Sequence, residues 1–185
     1  MRYLPDPILR SKAVSLKVRE LNDAALQRLI DDMIESMHYY KGVGIAGNQV
    51  GSRHRICIIQ RAEDEEPMVL VNPRVTRREG DREVTEGCLS LPGYQGRIIR
   101  SERVWATALD RHGKKVTFQG ETDLLAQALE HETDHLNGVA YIDHLRTSDD
   151  LYEINQDDEG EGDEGDYTDS RSPNDDRSDS MNPNN

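Results

Sequence analysis

The chain has 185 residues, a formal net charge of −13 and 35% hydrophobic residues. At roughly 100–200 residues per domain this allows one domain, with or without an appendage. No apolar run approaches the roughly 18–20 residues a membrane span needs, and the first residues lack the apolar centre of a secretory signal. The charge is unevenly spread: residues 147–185 carry 14 Asp/Glu against two Arg, a net of −12, which leaves −1 for residues 1–146. A near-neutral body gives no electrostatic basis for nucleic-acid binding, and the acidic stretch opposes it. The composition predicts a folded domain over 1–146 and a tail over 147–185 too poor in apolar residues to offset its ordering entropy, hence disordered. Cys57 and Cys88 are too few for a disulfide framework and point to a reducing compartment, leaving Cys88 free for chemistry.

In chain order, the first clear element is a helix over 22–40. Leu26, Leu29, Ile30, Met33, Ile34 and Met37 recur at three- and four-residue spacing with charged residues between them. Asn22 or Asp23 can cap its start, and Gly42 and Gly44 end it. Strands are predicted over 55–60, 68–72, 104–110 and 115–119, the last two flanking a turn at 111–114. A second helix runs from about Thr122 to Leu136 and stops at Asn137-Gly138. This order gives an α+β fold with mainly antiparallel sheets around a helix in the C-terminal half.

That second helix carries His131-Glu132-Thr133-Asp134-His135, an H-E-x-x-H motif. Side chains four apart on a helix share a face, so His131 and His135 can grip one metal ion with Glu132 beside it. On a wheel at ~100° per residue, these three fall on the side shared with Leu124, Leu125, Ala128, Leu129 and Leu136. Ala126, Glu130, Thr133 and Asp134 fall on the opposite arc, expected to face outward. An unpaired carboxylate beside two imidazoles in a core is costly, and a metal ion resolves that cost.

A catalytic metal usually takes three protein ligands and a water. Downstream, Tyr141 stands where a third His would complete the longer zinc-protease motif, and Glu153 lies 18 residues past His135 at the edge of the acidic stretch. The third ligand is therefore sought upstream, at Cys88 in Glu86-Gly87-Cys88-Leu89-Ser90. A Cys/His/His set accepts iron, zinc, cobalt or nickel. A further segment, 42–49, reads G-V-G-I-A-G-N-Q. It contains G-x-G-x-x-G, but a helix precedes it and a strand follows, the reverse of a dinucleotide site. A glycine-rich turn that lets an extended ligand approach, ending in the amide of Gln49, fits better.

The G-x-G-x-A-x-x-Q, E-G-C-L-S and H-E-x-D-H segments, in this order, resemble the three motifs of the peptide deformylase family, and the resemblance spans about residues 3–146. It implies removal of the formyl group from N-formylmethionyl ends of nascent peptides, with release of formate. By that resemblance Cys88, His131 and His135 hold one divalent metal per chain, iron(II) first, with zinc, nickel or cobalt as alternatives. A water on the metal attacks the formyl carbon, with Glu132 as general base and then acid. Gln49 and the backbone N–H of Leu89 stabilise the oxyanion. Val43, Gly44 and Gly87 pair with the peptide as an added strand, and Val43, Leu124 and Ala128 wall the methionine pocket.

The chain departs from the usual pattern at Gly47, at Thr133 and at Gln127, which stands where an apolar pocket residue is expected. The resemblance also implies a bacterial-type cytoplasm; the acidic tail departs from a basic, helical C-terminal extension, so any ribosome contact is expected to use another surface or to be transient. Two other readings use the same residues. A zinc endopeptidase would leave Cys88 without a role, and a binding module without turnover would not need Glu132 and Gln49 together.

Overall fold

A computed structural model describes residues 1–154. The disorder expected of the acidic tail concerns, from 155 onward, residues outside that range.

Helix α1 (Ala24–Tyr39) starts where the Asp23 carboxylate accepts from Ala25 N at 2.8 Å. It buries Leu26, Ile30, Met33 and Met37, one stripe at helical spacing. The first sheet has the order β1 (Gly44–Ala46), β2 (Ile56–Ile59), β3 (Met68–Glu79), β6 (Arg103–Leu109), β7 (Lys115–Glu121). Every neighbouring pair in it is antiparallel. Helix α2 (Leu124–Leu136) begins at Asp123, whose carboxylate accepts from Ala126 N at 2.8 Å.

The two helices cover opposite faces of this sheet. Ile45, Ile56, Ile58 and Val71 pack with the α1 stripe. Ala46, Cys57, Ile59 and Leu70 pack with Leu125, Leu129 and Leu136 of α2. This explains why Ile56-Cys57-Ile58-Ile59 reads as an unbroken apolar run, for alternate residues of β2 enter different cores and all four are buried. Fully burying a side chain such as Ile30 or Ile58 contributes about 1.5–3 kcal/mol.

A second sheet, also antiparallel, has the order β4 (Arg82–Cys88), β5 (Leu91–Arg100), β8 (Leu151–Glu153). β4 and β5 were not expected from the sequence, because their inward positions include Glu86, Gly96 and Arg100 rather than a row of large apolar residues. The boundary expected at 146 also shifts. Ser148–Asp150 form a 3₁₀ turn and Leu151–Glu153 pair with β5, so the described fold continues through residues 147–154. Composition hid this because Asp149 and Asp150 read as tail, whereas the Asp150 carboxylate closes its own turn on Thr147 N and Oγ1, each at 3.0 Å.

The outer arc of α2 is a further correction. Ala126, Glu130 and Thr133 are buried: Ala126 packs with Val104 and Ala106 of β6, and Arg78 of β3 and Ser101, just after β5, close over Glu130. Glu130 is paid for by three partners: Ser101 N at 2.9 Å, Ser101 Oγ at 3.2 Å and Arg78 Nε at 2.6 Å. α2 is thus enclosed on almost every side, and the polar groups it buries must be partnered or put to use.

Candidate active site

Three segments converge on one flank of α2. Spacing alone puts His131 and His135 on adjacent turns, with Nε2 atoms 3.1 Å apart. The two-residue turn Leu89-Ser90 between β4 and β5 swings Cys88 toward them, with Sγ 3.1 Å from His135 Nε2. The three donor atoms lie within 4.8 Å of one another, and this is the one His/Cys/Asp/Glu group of that kind among the described residues.

The donor chemistry fits a metal. The Nδ1 of His131 is 2.8 Å from Glu86 Oε2. With the proton of the neutral ring held there, Nε2 presents a lone pair toward Cys88 and His135. A thiolate and two imidazole lone pairs facing one another at these distances call for a cation between them. The surroundings favour the thiolate: burial alone would raise the Cys88 thiol, but the His135 and His131 rings hold it well below its usual range.

Glu86 is itself held in place. Arg100, from the end of β5, donates Nε to Oε1 at 2.8 Å and Nη2 to Oε2 at 3.0 Å. Its Nη1 reaches Asp134 Oδ2 at 2.6 Å, and the same oxygen is 2.8 Å from His144 Nε2. Burial opposes the charge on Glu86, but His131 and Arg100 outweigh it and bring its carboxyl down to about 2. Glu86, Arg100 and Asp134 were not assigned roles from the sequence. Glu86 lay in plain view inside the E-G-C-L-S segment, whereas nothing local marks Arg100.

Glu132 is buried, and its Oε2 has no hydrogen-bond partner among the described residues. Burial is the main reason that its carboxyl is pushed up to about 7, against the pull of His131 and His135. Gly44 makes room for it: a Cβ there would sit 2.3 Å from Glu132 Oε1. A side chain there would displace the Glu132 carboxylate from this position, which accounts for the second glycine of the 42–49 segment.

Gln49 is oriented at both ends. Its Oε1 accepts from Ala46 N at 2.8 Å, so the amide nitrogen must face the other way, where it donates to Ser90 Oγ at 3.1 Å and lies 3.5 Å from Cys88 Sγ. Asn48, beside it, donates to the backbone carbonyl of His135 and so ties this loop to the end of α2.

These groups border a cavity of about 640 Å³. Val43, Gly44, Gln49, Gly87, Cys88, Leu89, Leu124, Ala128, His131 and Glu132 all line it; of the residues given a site role by the family resemblance, His135 alone lies outside the lining, buried behind the others. β1 and β4 are edge strands of their sheets, and both border the cavity. Gln127 lines it too and donates Nε2 to Thr85 O at 3.2 Å, tying the polar end to β4. Glu153, set aside above as a ligand, accepts instead from Tyr94 Oη at 2.8 Å.

Comparison with known proteins agrees with this geometry. Residues 1–150 match the polypeptide deformylase family. A peptide deformylase of Dehalococcoides mccartyi is 51% identical over 156 residues, covering 84% of this chain and 91% of that one. The crystal structure of a peptide deformylase from Legionella pneumophila superposes with a TM-score of 0.74 at 41% identity, covering 78% and 84% of the two chains. One from Synechococcus elongatus in complex with actinonin gives 0.75 at 32%, covering 81% and 80%. The chain belongs to the polypeptide deformylase family, metal-dependent hydrolases that remove the formyl group from the N-terminus of newly made polypeptides.

Proposed function

We propose that Cys88, His131 and His135 hold one iron(II) ion and that Glu132, Gln49 and Leu89 carry out the hydrolysis around it. The observation that carries this reading is the meeting of one Sγ and two Nε2 atoms within 4.8 Å beside a buried carboxylate that lacks a partner. Such an ion supplies Lewis acidity, which acidifies a water and polarises the formyl carbonyl. The donor set accepts zinc, nickel or cobalt as well; iron(II) is assigned from the chain's likeness to the deformylase family.

The remaining roles belong to the protein. Glu132, poised near neutrality, takes the proton of the attacking water and returns it to the leaving amine. Gln49 Nε2 and the Leu89 N–H donate to the oxygen on which negative charge develops, and Ala46 N keeps the Gln49 amide from turning over. Glu86 fixes the His131 ring through Nδ1, while Arg100 fixes Glu86. Val43, Gly44 and Gly87, on the two sheet edges, pair with the peptide backbone as an added strand. Val43, Leu124 and Ala128 receive the methionine side chain, with Gln127 as a polar neighbour on that wall.

We further assign a folded catalytic domain and an acidic tail, a bacterial-type cytoplasm as the setting, and a transient ribosome contact. The formylated substrate supports the second, because bacterial-type translation produces it. No helix among the described residues is long and apolar enough to cross a membrane. Actinonin, present in the S. elongatus structure, is expected to occupy the same cavity here.

The test is formate release from formyl-Met-Ala by protein purified anaerobically and loaded in turn with iron(II), zinc, nickel and cobalt, beside a peptide carrying only internal amide bonds. Formate release fastest with iron(II), without internal cleavage, is the expected result. Internal cleavage, or a bound metal with no formate released, would overturn the assignment.

A further inference from the structure

The N-terminal segment supplies no reacting group, yet it touches all three parts of the site. Asp6 caps the 3₁₀ turn Pro7–Arg10 by accepting from Ile8 N at 3.0 Å, and Leu9 of that turn is buried. On either side of this anchor the backbone reaches the catalytic loops. Arg2 N donates to Gln49 O at 2.6 Å, and Leu4 N donates to Ser90 O at 3.0 Å. Ala13 N donates to Leu136 O, next to His135, at 2.9 Å. Tyr3, between the first two contacts, lines the cavity.

The contacts at Gln49 and Ser90 join loops of different sheets. Gln49 lies in the 3₁₀ turn Gly47–Val50 that follows β1 of the first sheet, and Leu89-Ser90 form the turn between β4 and β5 of the second. One side-chain bond, from Gln49 Nε2 to Ser90 Oγ at 3.1 Å, links the two loops directly. Gln49 and Ser90 are both buried, so their carbonyl oxygens need partners from the protein, and the N-terminal segment supplies one for each.

From these contacts we infer that residues 2–4 form a positioning strap for the oxyanion donors, with the Arg2 and Leu4 N–H groups holding the Gln49 loop and the Leu89-Ser90 turn at a fixed separation. The inference rests on the deformylase reading, in which Gln49 Nε2 and the Leu89 N–H stabilise the developing negative charge. Such donors act only at the right distance from the oxygen, and a misplacement of about 1 Å costs up to about 10²-fold in rate. The strap works through its backbone: the Arg2 side chain is 56% exposed and its ion pair is with Asp6, 3.6 Å away within the same segment.

The experiment compares Arg2→Pro, which deletes the donating N–H, with Arg2→Ala, which keeps it, each in the full-length, metal-loaded protein acting on formyl-Met-Ala. Arg2→Pro should lower kcat about tenfold with KM, metal content and the midpoint of urea unfolding unchanged, and Arg2→Ala should retain the kcat of the unaltered protein. Gln49→Ala should lower kcat about 10²-fold. Adding Arg2→Pro to Gln49→Ala should lower it by less than about twofold more, because the Arg2 N–H acts through Gln49. An unchanged kcat in Arg2→Pro, an equal loss in Arg2→Ala, a loss of metal or stability in Arg2→Pro that accounts for the lost turnover, or full additivity in the double variant would each overturn the inference. An unchanged kcat in Gln49→Ala, or no formate released by the unaltered protein, would instead overturn the reading of the centre itself.

Discussion

The two helices lie on opposite faces of the same sheet and spend their side chains differently. α1 buries only apolar residues, Leu26, Ile30, Met33 and Met37, and leaves its charged residues in water. α2 is shorter, yet it buries Glu130, Glu132, Thr133 and His135 along with Leu125, Leu129, Leu136 and its alanines. Glu130 is fully partnered and serves as structure. Glu132 and His135 each retain an atom with no partner among the described residues. Burying a polar atom without a partner costs on the order of 1–3 kcal/mol, and within α2 that cost is borne at Glu132 and His135 and avoided at Glu130, two residues from Glu132. The contrast separates scaffold from chemistry within a single molecule.

Substitutions can break that contrast from either side. Cys88→Ala should have the largest effect, with loss of bound metal by elemental analysis and loss of formate release, while far-ultraviolet circular dichroism stays unchanged. On the scaffold side, Met33→Ala leaves a cavity between α1 and the sheet. It should cost about 2–5 kcal/mol in urea unfolding while kcat of the folded fraction stays the same. Glu130→Ala strands Ser101 N and Arg78. A loss of about 1–3 kcal/mol with full metal content is expected, which would mark this buried carboxylate of α2 as structural. The smallest effect should come from Asp123→Ala, which removes the N-terminal cap of α2 and lowers stability by about 1 kcal/mol.

What could be read from the sequence follows the same division. α1 and β2 are legible because burying only apolar residues leaves a plain signature, a stripe at helical spacing in one and an unbroken apolar run in the other. The H-E-x-x-H segment is legible for a different reason, that two ligands and a base share one helical face. The second sheet lacks either mark. It buries an ion pair, Glu86 with Arg100, where a hydrophobic stripe would have revealed a strand, and Pro92, Gly93 and Gly96 interrupt β5. Helical position grouped His131, Glu132 and His135 on one side of α2, where the structure also has them together, but it misplaced the outer arc, since a wheel shows directions and not what lies along them. Likewise Asp149, Asp150 and Glu153 carry the composition of a tail while closing a turn and ending a strand against β5.

The most direct test of the central claim is to measure metal content and formate release together in Glu132→Gln. The substitution keeps size and shape but removes the group that accepts the proton. One metal per chain with turnover reduced about 10²–10⁴-fold is the predicted result, because general acid–base catalysis contributes on that scale. Turnover close to that of the unaltered protein with metal bound would contradict the account, since the unpartnered carboxylate beside the metal site would then not be its base.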